Sequence, residues 1–143
     1  MKLDPNKPLS ELKHQAKFVQ WAREQGIKVC AIAQSTFTDS WKAINQNRMA
    51  GVVKGLPDLV LVIPPKLREN NQGQILFIEM KKEKGGVTSP EQKIWIADLN
   101  SCNGVVAQVC KGHQEAIDFT KQFIETPPPP PTEEQLEAII NNL

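Results

Sequence analysis

The chain is short of most features that would assign it quickly. No apolar run approaches the ~18 residues a membrane span requires. The N-terminal MKLDPNKPLSE is polar and lacks the apolar stretch of a secretory signal. Cysteine is sparse, and Cys30, Cys102 and Cys110 include no CxxC pair. That argues against a disulfide framework and a structural zinc site, and it fits a reducing, cytoplasmic setting. The three thiols are expected to be small buried hydrophobes. There is no His/Cys cluster, no Walker A glycine pattern and no G-x-S-x-G. Zinc chemistry, nucleotide hydrolysis on a phosphate-binding loop and serine hydrolysis therefore drop out.

What remains is a chain of ordinary globular composition. Its 143 residues suit one domain, with 40% apolar and 23% charged side chains. The net charge of +1 hides an uneven distribution. Residues 1–60 carry +4, residues 61–126 balance to 0, and residues 127–143 carry −3. The mildly basic body permits a nucleic-acid partner, and the tail is acidic.

Periodicity orders the elements. Leu9, Leu12, Ala16, Val19 and Ala22, with Phe18 and Trp21 alongside, predict a helix over 9–25 that stops at Gly26. IKVCAIA (27–33) reads as a strand, and Asp39 or Ser40 would cap a short helix ending at Gly51. DLVLVI (58–63) and ILFIEM (75–80) are apolar strands that form an antiparallel hairpin around the 64–74 loop. The near-continuous apolar run at 58–63 implies that both faces of the sheet are covered. Ser89, Pro90 and Gln92 make a capping box with proline at the first helical position, opening a helix that stops at Asn103-Gly104. A strand at 105–110 and a helix at 113–125 complete an α/β domain with a mixed central sheet flanked by helices. Pro127–Pro131 then form a spacer of about 15 Å. Thr132 caps a last helix with Leu136, Ile139, Ile140 and Leu143 on one face. So short a helix is marginal alone and is expected to dock on the domain, on a second copy or on a partner. The expected division is a domain over 1–126 and a proline-linked helix over 127–143.

The stretch LFIEMKK (76–82) places Glu79 and Lys81 on one face of an otherwise apolar strand, since side chains alternate. Burying unpaired charge is costly, so the two either pair with each other or face a site that needs charge. Asp58 opens the neighbouring strand and Glu79 nears the end of its own, so the hairpin brings both carboxylates to one end of the sheet. Two carboxylates suit Mg²⁺, a hard cation that takes oxygen ligands. A nearby lysine suits negative charge developing on phosphorus.

GLPDLVLV and LFIEMKK together resemble the PD-(D/E)XK nuclease superfamily. With LFIEMKKEKGGVTSPEQKIW and NGVVAQVCKGHQEAIDF, the pattern is similar to its VRR-NUC family from about Gln15 to Phe123. The resemblance implies a restriction-endonuclease-like αβββαβ core and a DNA endonuclease dependent on Mg²⁺ or Mn²⁺. It implies metal ligands at Asp58, Glu79 and the Met80 carbonyl, a catalytic lysine at Lys81, and a glutamine at Gln92 that orients water or phosphate. Family members often add an acid from the first helix. Here the aligned position holds His14, and Glu11 is the nearest acid and the further ligand expected. Arg48, Lys54, Lys82, Lys84 and Lys93 flank these motifs as expected DNA contacts, and Gly85-Gly86 would let backbone approach a phosphate. By analogy, the expected substrate is branched DNA such as a four-way junction in replication, repair or recombination, cut by a homodimer. The alternatives are a nuclease for flaps, single strands or foreign duplex, and a non-catalytic DNA-binding adaptor that recruits replication or repair proteins through its tail.

Overall fold

The structure is a computed structural model that describes residues 4, 6–32, 40–124 and 132–143. Four strands form one sheet in sequential order: β1 (Lys28–Ala31), β2 (Leu59–Ile63), β3 (Gln74–Lys81) and β4 (Val105–Lys111). The first three are antiparallel neighbours, whereas β4 runs parallel to β3. That parallel pair requires a crossover, and α3 (Pro90–Asn100) supplies it. With α1 (Glu11–Glu24) in front and α4 (His113–Lys121) behind, the expected αβββαβ order is present. A short α2 (Trp41–Met49) lies between β1 and β2, and α5 (Glu133–Asn141) lies in the tail.

Period two divides the strands. Leu59, Leu61 and Ile63 of β2 and Leu76, Ile78 and Met80 of β3 are fully buried on one face. They pack with Phe18 and Ala22 of α1 and Ala116, Ile117 and Phe119 of α4. Each such aliphatic side chain contributes roughly 1.5–3 kcal/mol on burial, so this face sets the strand register. The opposite face is less covered than the apolar run at 58–63 predicts: Val60 is half-buried and Val62 is exposed. Helix α3 packs there against β4 and leaves β2 partly open to solvent.

Several local readings shift once packing is visible. The buried stripe of α1 is His14, Phe18 and Ala22, not Leu9, Leu12 and Ala16, and Leu12 is exposed. A polar residue replaces an apolar one in the stripe because His14 meets a hydrogen-bonding partner on α4. The expectation of buried thiols holds only for Cys110. Cys30 lies exposed on edge strand β1 and Cys102 lies exposed in the turn after α3. Ser40 caps α2, accepting from the Ala43 N–H at 3.4 Å, while Asp39 falls outside the described residues. Ser89 and Thr132 each close the expected capping box. Asn100 protects the outer edge of β4, donating to the Ala107 carbonyl and accepting from its N–H. Among the described residues, no helix is long and apolar enough to cross a membrane.

Candidate active site

The hairpin register decides the site. Leu59 pairs with Ile78, so one step further along both strands Asp58 lies across from Glu79. Asp58 turns its carboxylate onto β3, where Oδ2 accepts from the Met80 N–H at 2.9 Å. In an extended strand the N–H and C=O of one residue face the same neighbour, so the Met80 carbonyl looks toward the Asp58 side as well. Lys81 faces the other way, its carbonyl accepting from the Gly112 N–H at 2.8 Å.

Glu79 is 2% exposed and is held on one oxygen only. Oε1 accepts from Gln92 Nε2 at 2.6 Å and pairs with Lys81 Nζ at 3.2 Å. Oε2 is buried with no hydrogen-bond partner. Burial pushes the Glu79 carboxyl up to about 7, with help from the neighbouring Asp58 charge and opposition from Lys81. Asp58 is also raised above its ordinary value by burial, against the Met80 N–H and Lys81. Two carboxyls that resist ionisation side by side, one with an unmet oxygen, form a site short of positive charge.

Helix α3 brings the third component. Ser89 caps it, and Gln92 closes the box by accepting from the Ser89 N–H through Oε1 at 2.9 Å. That leaves the Gln92 amide nitrogen free to reach Glu79. The helix is clamped to the chain ahead of Asp58: Trp95 Nε1 donates to the Lys54 carbonyl at 3.1 Å, and Gly55 presses on α3. A Cβ on Gly55 would stand 2.7 Å from the Glu91 carbonyl carbon and oxygen, and its φ of +101° already favours glycine. Gly86 packs against the Lys81 stem, its would-be Cβ 3.0 Å from Lys81 Cβ, so this glycine shapes the lysine's seat.

Asp58, Glu79, Lys81, Gln92 and the Met80 backbone thus come together. Glu11 does not join them. It lies exposed in the first turn of α1, and no three His, Cys, Asp or Glu among the described residues converge as a metal cluster. The flanking cations Arg48, Lys54, Lys82, Lys84 and Lys93 are all exposed.

A model of the VRR-NUC domain matches residues 3–114, most of the chain and a span that includes Asp58, Glu79, Lys81 and Gln92. The chain belongs to the VRR-NUC family. A solved structure titled "VRR_NUC domain protein" is similar at 29% identity and a TM-score of 0.58, covering 82% of this chain and 90% of that one. No curated protein matches. This VRR-NUC domain therefore has a nuclease-type fold, with Asp58, Glu79, Lys81 and Gln92 gathered at one end of the sheet.

Sequence reading missed two features of the domain. One is the Gly55–α3 clamp, whose signal was the glycine three residues before Asp58. The other is the pair formed by His14 and His113. Their Nδ1 atoms lie 2.9 Å apart and their rings stack at 5.1 Å. His14 Nδ1 also accepts from the His113 backbone N–H at 3.2 Å, so His113 Nδ1 carries the proton between the rings. This pair occupies the α1 position where an acid was expected, and it joins α1 to α4.

Proposed function

We propose that this VRR-NUC domain is a DNA endonuclease that uses Mg²⁺ or Mn²⁺. The observation that carries the reading is the buried, unpartnered Oε2 of Glu79 beside Asp58. An all-oxygen donor set with one unmet buried oxygen fits a hard divalent cation. Asp58, Glu79 and the Met80 carbonyl would hold it. Such a cation, when bound, polarises a phosphodiester and makes an attacking water more acidic.

The protein's own groups divide the remaining work. Gln92 holds Glu79 in one orientation, fixed in turn by the helix cap. Lys81 places its ammonium beside the carboxylates, where it meets negative charge developing on the phosphoryl oxygens or orients the water. In hydrolysis the water oxygen bonds to phosphorus, one P–O ester bond breaks, and the leaving oxygen takes up a proton. Lys54, Lys82, Lys84, Lys93 and Arg48, all exposed, supply phosphate contacts around this end.

The substrate we favour is branched DNA such as a four-way junction, cut by a homodimer that presents two symmetric sites. The exposed apolar row Leu136, Ile139 and Ile140 of α5, with Leu143 just beyond it, supports contact with a second copy or a recruited replication or repair protein. Labelled four-way junction, flap, single-stranded and linear duplex DNA should be incubated with wild type and Glu79→Ala in Mg²⁺, Mn²⁺ or EDTA. Cleavage by wild type with metal alone is expected, with the junction cut best. Binding without cleavage under every condition would replace the enzyme with a DNA-binding adaptor.

A further inference from the structure

The segment between β1 and β2 is held near both of its ends, first by the backbone of Asp58 and then by α3. On departure, the Ile32 N–H donates to the Asp58 carbonyl at 2.7 Å. On return, Lys54 and Gly55 are pinned to α3 by the Trp95 indole and by close packing on Glu91. The helix in this segment, α2, is thus tied through residues 50–53 to Lys54, which Trp95 holds on the helix that carries Gln92.

Its side chains are not spent on the core. No residue of α2 is buried, and only Ala43, Ile44 and Asn47 are half-buried. Trp41, Lys42, Asn45, Gln46, Arg48 and Met49 face outward, with Trp41 78% and Met49 88% exposed. Leaving a tryptophan and a methionine in water on a helix with little core contact points to a partner. The charge says which kind. From Ser40 to Pro57 the sequence has Lys42, Arg48 and Lys54 and no acid. Two copies of so uniformly basic a surface would repel each other, whereas a polyanion would be drawn to it. Paired amides add a second indication, since Asn and Gln reach base edges that phosphate contacts do not read.

We propose, building on the nuclease reading above, that α2 is the element that seats duplex DNA at the site. Its outward face enters the major groove beside the scissile phosphate. Lys42 and Arg48 contact phosphates, and Asn45 and Gln46 bond to base edges, as such amides do with adenine. Trp41 and Met49 lie against thymine methyls and the groove wall. An α-helix with its side chains is about 10–12 Å across and fits a groove about 12 Å wide, and the nine residues of α2 extend about 13 Å along it.

The test is DNA binding by fluorescence anisotropy, with Ca²⁺ replacing Mg²⁺, across salt concentrations and several duplex sequences. The proteins are wild type, Lys42→Ala and the double variant Asn45→Ala/Gln46→Ala. All should melt at wild-type temperatures, because α2 buries no side chain. Lys42→Ala should lower the slope of log K against log salt by about one. The double variant should weaken binding roughly tenfold or more and flatten any preference among duplexes, with the salt slope unchanged. DNA should quench wild-type tryptophan emission, and that part of the quench should vanish in Trp41→Phe. Wild-type cleavage with unaltered binding by every α2 variant would overturn the proposal and leave the nuclease reading standing. A wild type that neither binds nor cuts DNA would remove both. A halved solution mass for Trp41→Ala/Met49→Ala, with DNA binding intact, would make α2 a contact between copies and overturn the proposal.

Discussion

Gln92 reaches back thirteen residues to Glu79, placing its amide nitrogen 2.6 Å from Oε1 while its own carbonyl oxygen caps α3. One side chain therefore ties the start of a helix to a buried carboxylate at the end of a strand. Gln92→Ala should cost about 1 kcal/mol of stability through the lost cap and about 10- to 100-fold in activity through the loosened Glu79. Gln92→Glu separates the two effects. It keeps the cap acceptor yet sets a carboxylate against Glu79, so it should melt higher than Gln92→Ala while cleaving no better. Melting curves and cleavage rates on the same preparations decide this.

The protonation of Glu79 should make binding of the proposed metal pH-dependent. Its ordinary value is 4.5 and burial raises it to about 7. In metal-free protein its contribution to stability is therefore fully present below pH 4.5 and lost as pH rises through about 7. Binding of Mn²⁺ requires the carboxylate, so affinity should rise with pH across the neutral range and release a proton. Calorimetry in buffers of different ionisation enthalpy would report that proton, and Glu79→Gln should abolish its release. An affinity that is flat from pH 6 to 8 would contradict the assignment.

Gly55→Ala tests the clamp on α3. The new methyl meets Glu91 backbone rather than a flexible side chain, and φ is +101°. Strain of about 1–3 kcal/mol is expected, together with displacement of Gln92 from Glu79. Denaturant unfolding should register the first. The second should appear as a cleavage rate at least tenfold lower, because misplacing a positioning group by about 1 Å is costly in rate.

The His14–His113 pair predicts an acid-sensitive joint between α1 and α4. Burial lowers His113 below its ordinary 6.5, with His14 and Lys17 acting in the same direction and Glu83 against them. A lowered histidine contributes stability above pH 6.5 and loses it as pH falls through its depressed value. The melting temperature should therefore drop between pH 7 and 5 by more in wild type than in His113→Asn. Equal drops would mean that His113 makes no difference to the acid sensitivity.

Deleting residues 127–143 should leave the fold intact, since every described residue of α5 is exposed. If α5 closes the proposed homodimer, light scattering should give twice the chain mass for the full protein and a single chain for the deletion. A deletion that stays dimeric and still cuts DNA would assign the tail to recruiting a partner.

Much of this is legible in the sequence. Strand alternation separates Leu76, Ile78 and Met80 from Glu79 and Lys81 by local geometry alone, and the structure keeps that division. The Ser89 and Thr132 caps were readable because their partners lie three residues away. The errors fall where partners are distant. His14 sits in the buried stripe of α1 only because His113, ninety-nine residues on, receives it. Cys30 is exposed because β1 is an edge strand, which its own residues do not announce.

The order of residues by itself determined the αβββαβ sequence of elements and the arrival of Asp58 and Glu79 at one end of a hairpin. Those follow from periodicity, capping and turn chemistry, all short-range. Only the tertiary structure decided that Glu79 would be buried with one oxygen unmet, that Gln92 would hold the other, and that α2 would bury none of its side chains. Desolvation, and contacts between residues far apart in the chain, depend on how elements pack, and no local pattern of residues carries that information.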